Sequence, residues 1–350
     1  MKRKLSLWVA CLLGWGGILL SCAGGLAQPQ PAPAESSLQK GREYLQARDY
    51  INAAKNFEQA RKLAPANRAA WHGLLLSYLH GKRLPEALQV AHEAAGRWPD
   101  DVRFRHLLGL AYFQNGQNSQ AIEELRRALD SQPNRQAIRY DLALVYLSSR
   151  QYMLAAEQLE KAVRLKPDAP LARLLLGRAY QNTNRTLPAI EQFKAALRLD
   201  PNLPLGHYHL GFAYESLGQN LEAISEYRKE LALRQDNAEV FYRLGHVLLE
   251  SGQFSEAAAQ LREAIRLAPE NAEGLYDLGK ALHGLGKTVE SIDALRRAIA
   301  LRQEDPRPHY LLARALEKMQ KKAEAAKEFE RFAELKKRQT AVGGMAYRPN

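Results

Sequence analysis

Cysteine is nearly missing from this chain. Of 350 residues only Cys11 and Cys22 are cysteine, and both stand near the start. Everything after Cys22 is free of thiols, which excludes a disulfide framework and thiol chemistry. Acid is missing from residues 1–21, while Lys2, Arg3 and Lys4 supply three positive charges. A long basic run is missing too. Formal net charge is +12, or +9 without those three bases, and Asp and Glu are interspersed throughout. An acidic partner or an anionic surface would suit that sign, but the pattern reads as a solvated mixed-charge surface. No nucleic acid is expected as a partner, since no motif accompanies the charge.

The front of the chain reads as an export segment over residues 1–27. Lys2-Arg3-Lys4 precede an apolar stretch from Leu5 to Leu20, broken by Gly14, Gly16 and Gly17, that is short for a membrane span. Two exits are readable. Leu19-Leu20-Ser21-Cys22 resembles the lipobox of bacterial lipoproteins, which makes Cys22 the lipidation candidate. Gly25-Leu26-Ala27 offers small residues for ordinary cleavage before Gln28. Residues 28–33 are Pro-rich and predict an extended tether.

What fills the rest is a ladder. Pro65, Pro99, Pro133, Pro167 and Pro201 recur every 34 residues, followed in register by Gln235, Pro269 and Gln303. A fixed period decides architecture, because stacked repeats replace a single core. Nine units of 34 fill residues 34–339 without insertion, leaving 340–350 as a flexible tail. Within each unit the eighth position is small (Gly41, Gly109, Ala143, Gly177, Gly211, Gly245, Gly279, Ala313), Leu75 excepted. The eleventh is Tyr44, Tyr78, Tyr112, Tyr146, Tyr180 or Tyr214, then Leu248, Leu282 and Leu316. Position 20 is small, position 24 mostly bulky and position 27 usually Ala. These are helical steps and predict two amphipathic helices per unit. Gly116, Gly218, Gly252 and Gly286 mark the turn between them. Asn67, Asp101, Asn237, Asn271 and Asp305 are expected N-caps, and Pro170, Pro204 and Pro306 first helical residues. Glu230 and Phe332 break the pattern at position 27, and Glu230 predicts local loosening of unit 204–237.

This pattern, with Trp71, Leu74 and Tyr78 at the appropriate spacing, resembles the tetratricopeptide repeat across residues 34–339. The resemblance implies an all-α fold, a right-handed superhelix of about nine helix–turn–helix units whose first helices line a concave face. It also implies that positions 2, 5, 9, 12 and 13 face the groove. Candidate groove residues are then His72, Leu76, Leu79, His106, Leu110, Phe113, Tyr140, Leu144 and Leu147 in an apolar first half. Tyr208, Tyr242, His246, Tyr276, Lys280, His283, Tyr310 and Arg314 follow in a more polar second half. The tyrosines suit peptide recognition, or they stack on one another at the seams between units. The apolar stretch suits a peptide, or it is covered by the tether or by a second copy. Lys at position 5 and Asn at position 9, the residues by which some relatives grip a terminal carboxylate, are absent, as is the Asn ladder at position 6 found in glycosyltransferase-linked arrays.

Enzymatic motifs fail on inspection. Gly284-Leu285-Gly286-Lys287-Thr288 ends like a phosphate loop but has Ala281 where the first Gly belongs and lies in an inter-helix turn. His92-Glu93 lacks a second His at Gly96, and His207 and His209 point to different helix faces. No cofactor is expected. The reading is a non-enzymatic scaffold of the bacterial cell envelope, periplasmic or on the periplasmic face of the outer membrane, binding a peptide or protein in its groove. The alternative is an accessory or assembly subunit of a polysaccharide-export, protein-export or pilus machine.

Overall fold

A computed structural model describes residues 32–346; the export segment, Cys22 and the start of the tether lie outside the described residues. The described residues are helical throughout, without strands, and form two compact units, one ending at Arg83 and one beginning at Leu84.

The first unit holds α1 (Pro33–Gln46), α2 (Tyr50–Leu63) and α3 (Arg68–His80). Pro33 opens α1 at its first turn, so the last tether residue is helical rather than extended. Phe57 of α2 fills the space between Gly41 and Gly73, whose added Cβ atoms would come within 2.9 and 2.4 Å of its ring. Glycine two residues before the unusual Leu75 thus does the work expected of position 8.

The second unit begins with α4 (Leu84–Arg97) and continues as seven hairpins: α5 (Val102–Gln114) with α6 (Asn118–Ser131), α7 (Gln136–Ser148) with α8 (Tyr152–Leu165), α9 (Pro170–Gln181) with α10 (Thr186–Leu199), α11 (Gly206–Glu215) with α12 (Asn220–Leu233), α13 (Ala238–Glu250) with α14 (Phe254–Leu267), α15 (Ala272–Gly284) with α16 (Thr288–Leu301), and α17 (Pro306–Lys318) with α18 (Lys322–Ala346). The stretch from residue 340, expected as a flexible tail, continues α18 as helix to Ala346. First helices such as α13, α15 and α17 touch one another as well as their own partners, which puts them on the inner side of the array. Between the helices the apolar core falls into successive clusters, one around Leu142, Leu159 and Phe193, one around Tyr227 and Leu261, and one around Leu295.

The rungs act as helix stops. Residues before them leave the helical region, with φ −136° at Ala64 and −137° at Gln132. Arg302, before Gln303, has φ −135°, so the stop persists where proline is replaced. The rung carbonyl is also an acceptor. Trp71 Nε1 donates to Pro65 at 2.9 Å, Arg139 Nε to Pro133 at 3.0 Å and Arg173 Nε to Pro167 at 2.9 Å. These ties fix α3, α7 and α9 against the end of the preceding unit.

All five expected N-caps accept backbone N–H groups, Asn67 from Ala69 and Asn271 from Gly274 among them. Pro170 and Pro306 sit at first helical turns, but Pro204 does not: Leu205 adopts a left-handed φ of +61° and α11 starts only at Gly206. The cause is Glu230. Its fully buried carboxylate accepts the backbone N–H of Leu205 at 3.2 Å and of Tyr208 at 3.3 Å, and pairs with Arg234 at 3.1 Å. Instead of loosening the unit, it caps a shortened helix.

One substitution in the ladder has a structural counterpart. In three units with Tyr at position 11, position 25 of the preceding unit bonds its hydroxyl: His92 with Tyr112 at 2.7 Å, Arg126 with Tyr146 at 2.9 Å, Glu160 with Tyr180 at 2.8 Å; Lys194 lies over the Tyr214 ring instead. Where position 11 becomes Leu, position 25 is Arg and reaches an acid of the next second helix instead, as Arg228 does to Glu256 at 2.6 Å and Arg296 to Glu324 at 3.2 Å.

Candidate partner-binding groove

The first helices are short, 10 to 14 residues each, and their inward positions recur at the repeat spacing. In the apolar half, Leu110, Phe113, Leu144 and Leu147 are half-buried, the last three packed against the core. Tyr140 and Asp141 line one side of a cleft of about 410 Å³ whose other side is Ala169, Pro170 and the half-exposed Leu171. His106 Nε2 lies 2.6 Å from Asp141, linking two successive first helices across the groove floor. In the first unit Leu76 and His72 are half-buried, whereas Leu79 is 2% exposed and belongs to the core, leaving no surface for a ligand.

The stripe tyrosines pack mainly on side chains of their own units. Tyr208 stacks on Phe212 at 6.5 Å and tilts against Tyr227 at 6.1 Å. Tyr242 lies 6.0 Å from His246, and the Arg307 guanidinium covers Tyr276 at 5.0 Å. Burial pushes the phenols of Tyr208, Tyr242 and Tyr276 up, so they stay protonated donors. Tyr310, packed on Phe329 and Phe332, is the most open at 43% exposure.

The polar half is an ion-pair lattice. Arg243 meets Glu215 at 3.2 Å and Glu239 at 2.8 Å. Asp277, 4% exposed, takes His246 Nδ1 at 2.8 Å, and this hydrogen bond raises the imidazole pKa. Lys280 pairs with Glu250 at 2.7 Å, and Arg307 with Glu273 at 2.7 Å and Asp305 at 2.6 Å. Lys280, expected as a base open to a partner, is therefore already matched.

The lattice has one gap. Glu250, which takes Lys280, stands at position 13; one unit later that position is Gly284. A Cβ there would lie 2.9 Å from the Phe254 ring, so no acid fits. Arg314, the counterpart of Lys280, is left with Glu317 at 3.9 Å and is more than half exposed. It faces His283 together with Lys318. Burial, then these two cations, hold the His283 pKa below its ordinary value, and its Nδ1 has no hydrogen-bond partner. A local excess of positive charge remains at this end of the groove.

Glu250, Glu215 and Asp277 were not foreseen as site residues. Their signal is a cross-unit spacing, an acid about thirty residues from a base, which inspection of single helices does not reveal.

The histidines of the failed enzymatic motifs have structural roles. His92 bonds Tyr112, His207 lies 2.6 Å from Glu226, and half-buried His209 stacks on Phe193. Residues 284–288 span the turn from α15 to α16. Among the described residues no cluster of three metal-ligating side chains occurs, and no helix is long and apolar enough to cross a membrane.

Comparison with known proteins agrees with this geometry. Family models described as tetratricopeptide repeat match residues 38–102, 90–136, 106–170, 140–204, 174–238 and 242–307, and a further one matches 306–339. Among solved structures, the chain is similar to a tetratricopeptide repeat protein from Parabacteroides merdae at 18% identity and a TM-score of 0.53, covering 71% of this chain and 99% of that one. It is also similar to the Cut9–Hcn1 hetero-tetramer of APC/C at 18% identity and 0.55, covering 76% of this chain and 52% of that one. A third similar structure is MamA, at 25% identity and 0.46, covering 47% and 97%. No curated protein matches the sequence.

Proposed function

Because the chain belongs to the tetratricopeptide repeat family, a family of protein-interaction scaffolds, we propose that it binds a peptide or protein partner in the groove of its first helices and organises that partner in the bacterial cell envelope. The observation that carries this reading is the division of the groove. Half-buried Leu110, Phe113, Leu144 and Leu147 form an open apolar surface, and the polar half ends in Lys318 and Arg314, the latter held only by Glu317 at 3.9 Å, beside His283. A segment with an apolar stretch followed by an acid satisfies both ends, since an exposed apolar surface of this kind marks a contact and an acid completes the lattice. Lys280 plays no part in that recognition, because Glu250 already holds it. The export-type leader supports an envelope location, with Cys22 as the lipid attachment point or with cleavage after Ala27.

The test is pull-down from envelope fractions with three variants. Leu144→Glu and Arg314→Glu each reduce partner recovery by at least about tenfold, in line with the loss of a central contact, while Lys280→Glu has a smaller effect. Unchanged recovery in both Leu144→Glu and Arg314→Glu overturns the groove reading. A partner recovered as part of an export or pilus assembly would favour the accessory-subunit alternative.

A further inference from the structure

The two edges of the second unit differ in chemistry. A helical-hairpin array has one edge made of turns inside the repeats and an opposite edge made of turns between them. In the second unit the inner turns are residues 115–119, 149–153, 183–187, 217–221, 251–255, 285–289 and 319–323. Across these seven segments stand Arg150, Arg185, Lys287, Lys321 and Lys322, with no acid. The opposite edge, residues 98–102 and the six equivalents up to 302–306, carries eight acids and four bases. The charge that looks evenly mixed along the chain is thus sorted in space.

The same basic edge carries the most exposed large hydrophobic residues. Met153 is 78% exposed, Leu221 76%, Val289 69% and Leu187 67%, and each is the last residue of its turn segment. Ile51, at 75%, occupies the same position in the first unit. Leu217, Leu285 and Met319 add partly exposed apolar surface one helical turn earlier. Directly beyond the segments stand Glu222, Glu256, Glu290 and Glu324: Glu222 is exposed, while Glu256 pairs with Arg228, Glu290 with Arg262 and Lys287, and Glu324 with Arg296 and Lys321. One turn beyond Met153 and Leu187 come Glu157 and Glu191, which confines the apolar character to the edge itself.

We infer that this edge of the second unit docks on an anionic lipid surface, with Met153, Leu187, Leu221 and Val289 entering the headgroup region and the turn lysines and arginines meeting lipid phosphates. Shallow apolar insertion combined with basic residues in the turns is what an interfacial contact with anionic lipid uses. The complementary charge of the two edges orients the array, with the acidic edge away from the membrane. The inference is independent of what the groove binds.

A local probe separates edge docking from tethering by the leader. In the full chain with Cys11→Ser and Cys22→Ser, single cysteines replace Leu187 or Leu221 on the basic edge and Asn134 or Glu270 on the acidic edge, each labelled with an environment-sensitive fluorophore. Phosphatidylcholine vesicles are compared with vesicles containing about a third phosphatidylglycerol. The expected result is a blue shift and brightening at positions 187 and 221 with the anionic vesicles, absent at 134 and 270 and lost at high salt. Adding Arg150→Glu and Arg185→Glu weakens that response by about fivefold or more. Equal shifts on both edges, no shift on the basic edge with anionic vesicles, or a concentration-dependent shift without vesicles overturns the inference, the last indicating contact with a second copy.

Discussion

The buried carboxylate of Glu230 accepts the backbone N–H of Leu205 at 3.2 Å, reaching from the second helix of a unit to the start of its first. Most other units place Ala at this position. Glu230→Ala restores the common residue but orphans the N–H groups of Leu205 and Tyr208 and removes the partner of Arg234. The expected cost is about 2–4 kcal/mol, because buried polar groups left without partners lose their full desolvation free energy. Hydrogen exchange across residues 204–215 checks it: faster exchange confined to that segment is predicted.

The turn inside every repeat uses a left-handed residue at position 15. Four are the glycines foreseen, Gly116, Gly218, Gly252 and Gly286, and the others are Arg48, Lys82, Arg150, Asn184 and Gln320. At Arg150, φ is +57°, a conformation in which a Cβ is strained. Arg150→Gly is predicted to raise stability by up to about 1 kcal/mol, and Asn184→Gly to have less effect because Asn tolerates this region. Urea midpoints of the two variants measure the difference.

At Gly177 an added Cβ would lie 2.4 Å from the Phe193 ring, whereas the equivalent pair one unit earlier is Ala143 with Leu159. Gly177→Ala is predicted to destabilise by about 1–3 kcal/mol through overpacking. Adding Phe193→Leu, which reproduces the neighbouring pair, recovers most of that loss. A double-mutant cycle by chemical denaturation reports a coupling well above experimental error if the ring contact is the cause.

These cases show where the sequence was readable. The period, the paired helices, the caps and the small-to-large contacts follow from local pattern, because each depends on residues within one or two helical turns. Leu205 and the cross-unit ion pairs of the groove depend on residues twenty-five to thirty-five positions away. Lys280 looked available because Glu250 lies in another repeat, and Leu79 looked like groove lining because its helix is apolar on nearly every face. The edge charges escaped notice for the same reason: along the chain acids and bases alternate, and only the hairpin topology separates them.

Acid sensitivity follows from His209. Burial, with Arg178 adding to it, holds its pKa down to about 4 against an ordinary 6.5. The neutral ring is favoured in the folded state, so its contribution is complete above pH 6.5 and is lost as pH falls toward 4. The full effect is on the order of 3 kcal/mol. His246 has the opposite sign: its raised pKa gives stability present below the unfolded value and lost as pH rises through the folded one. Denaturation of wild type and His209→Phe at pH 7 and 4.5 should show a smaller acid loss in the variant; equal losses would remove His209 from the account.

The most direct test of the central claim is site-specific photocrosslinking in cells. A benzophenone side chain is placed at residue 144 or 314 in the groove, and at residue 123, an exposed site on the second helix α6. The account predicts that positions 144 and 314 trap the same partner and that 123 does not. A partner trapped equally from position 123, or none from either groove position, would contradict it.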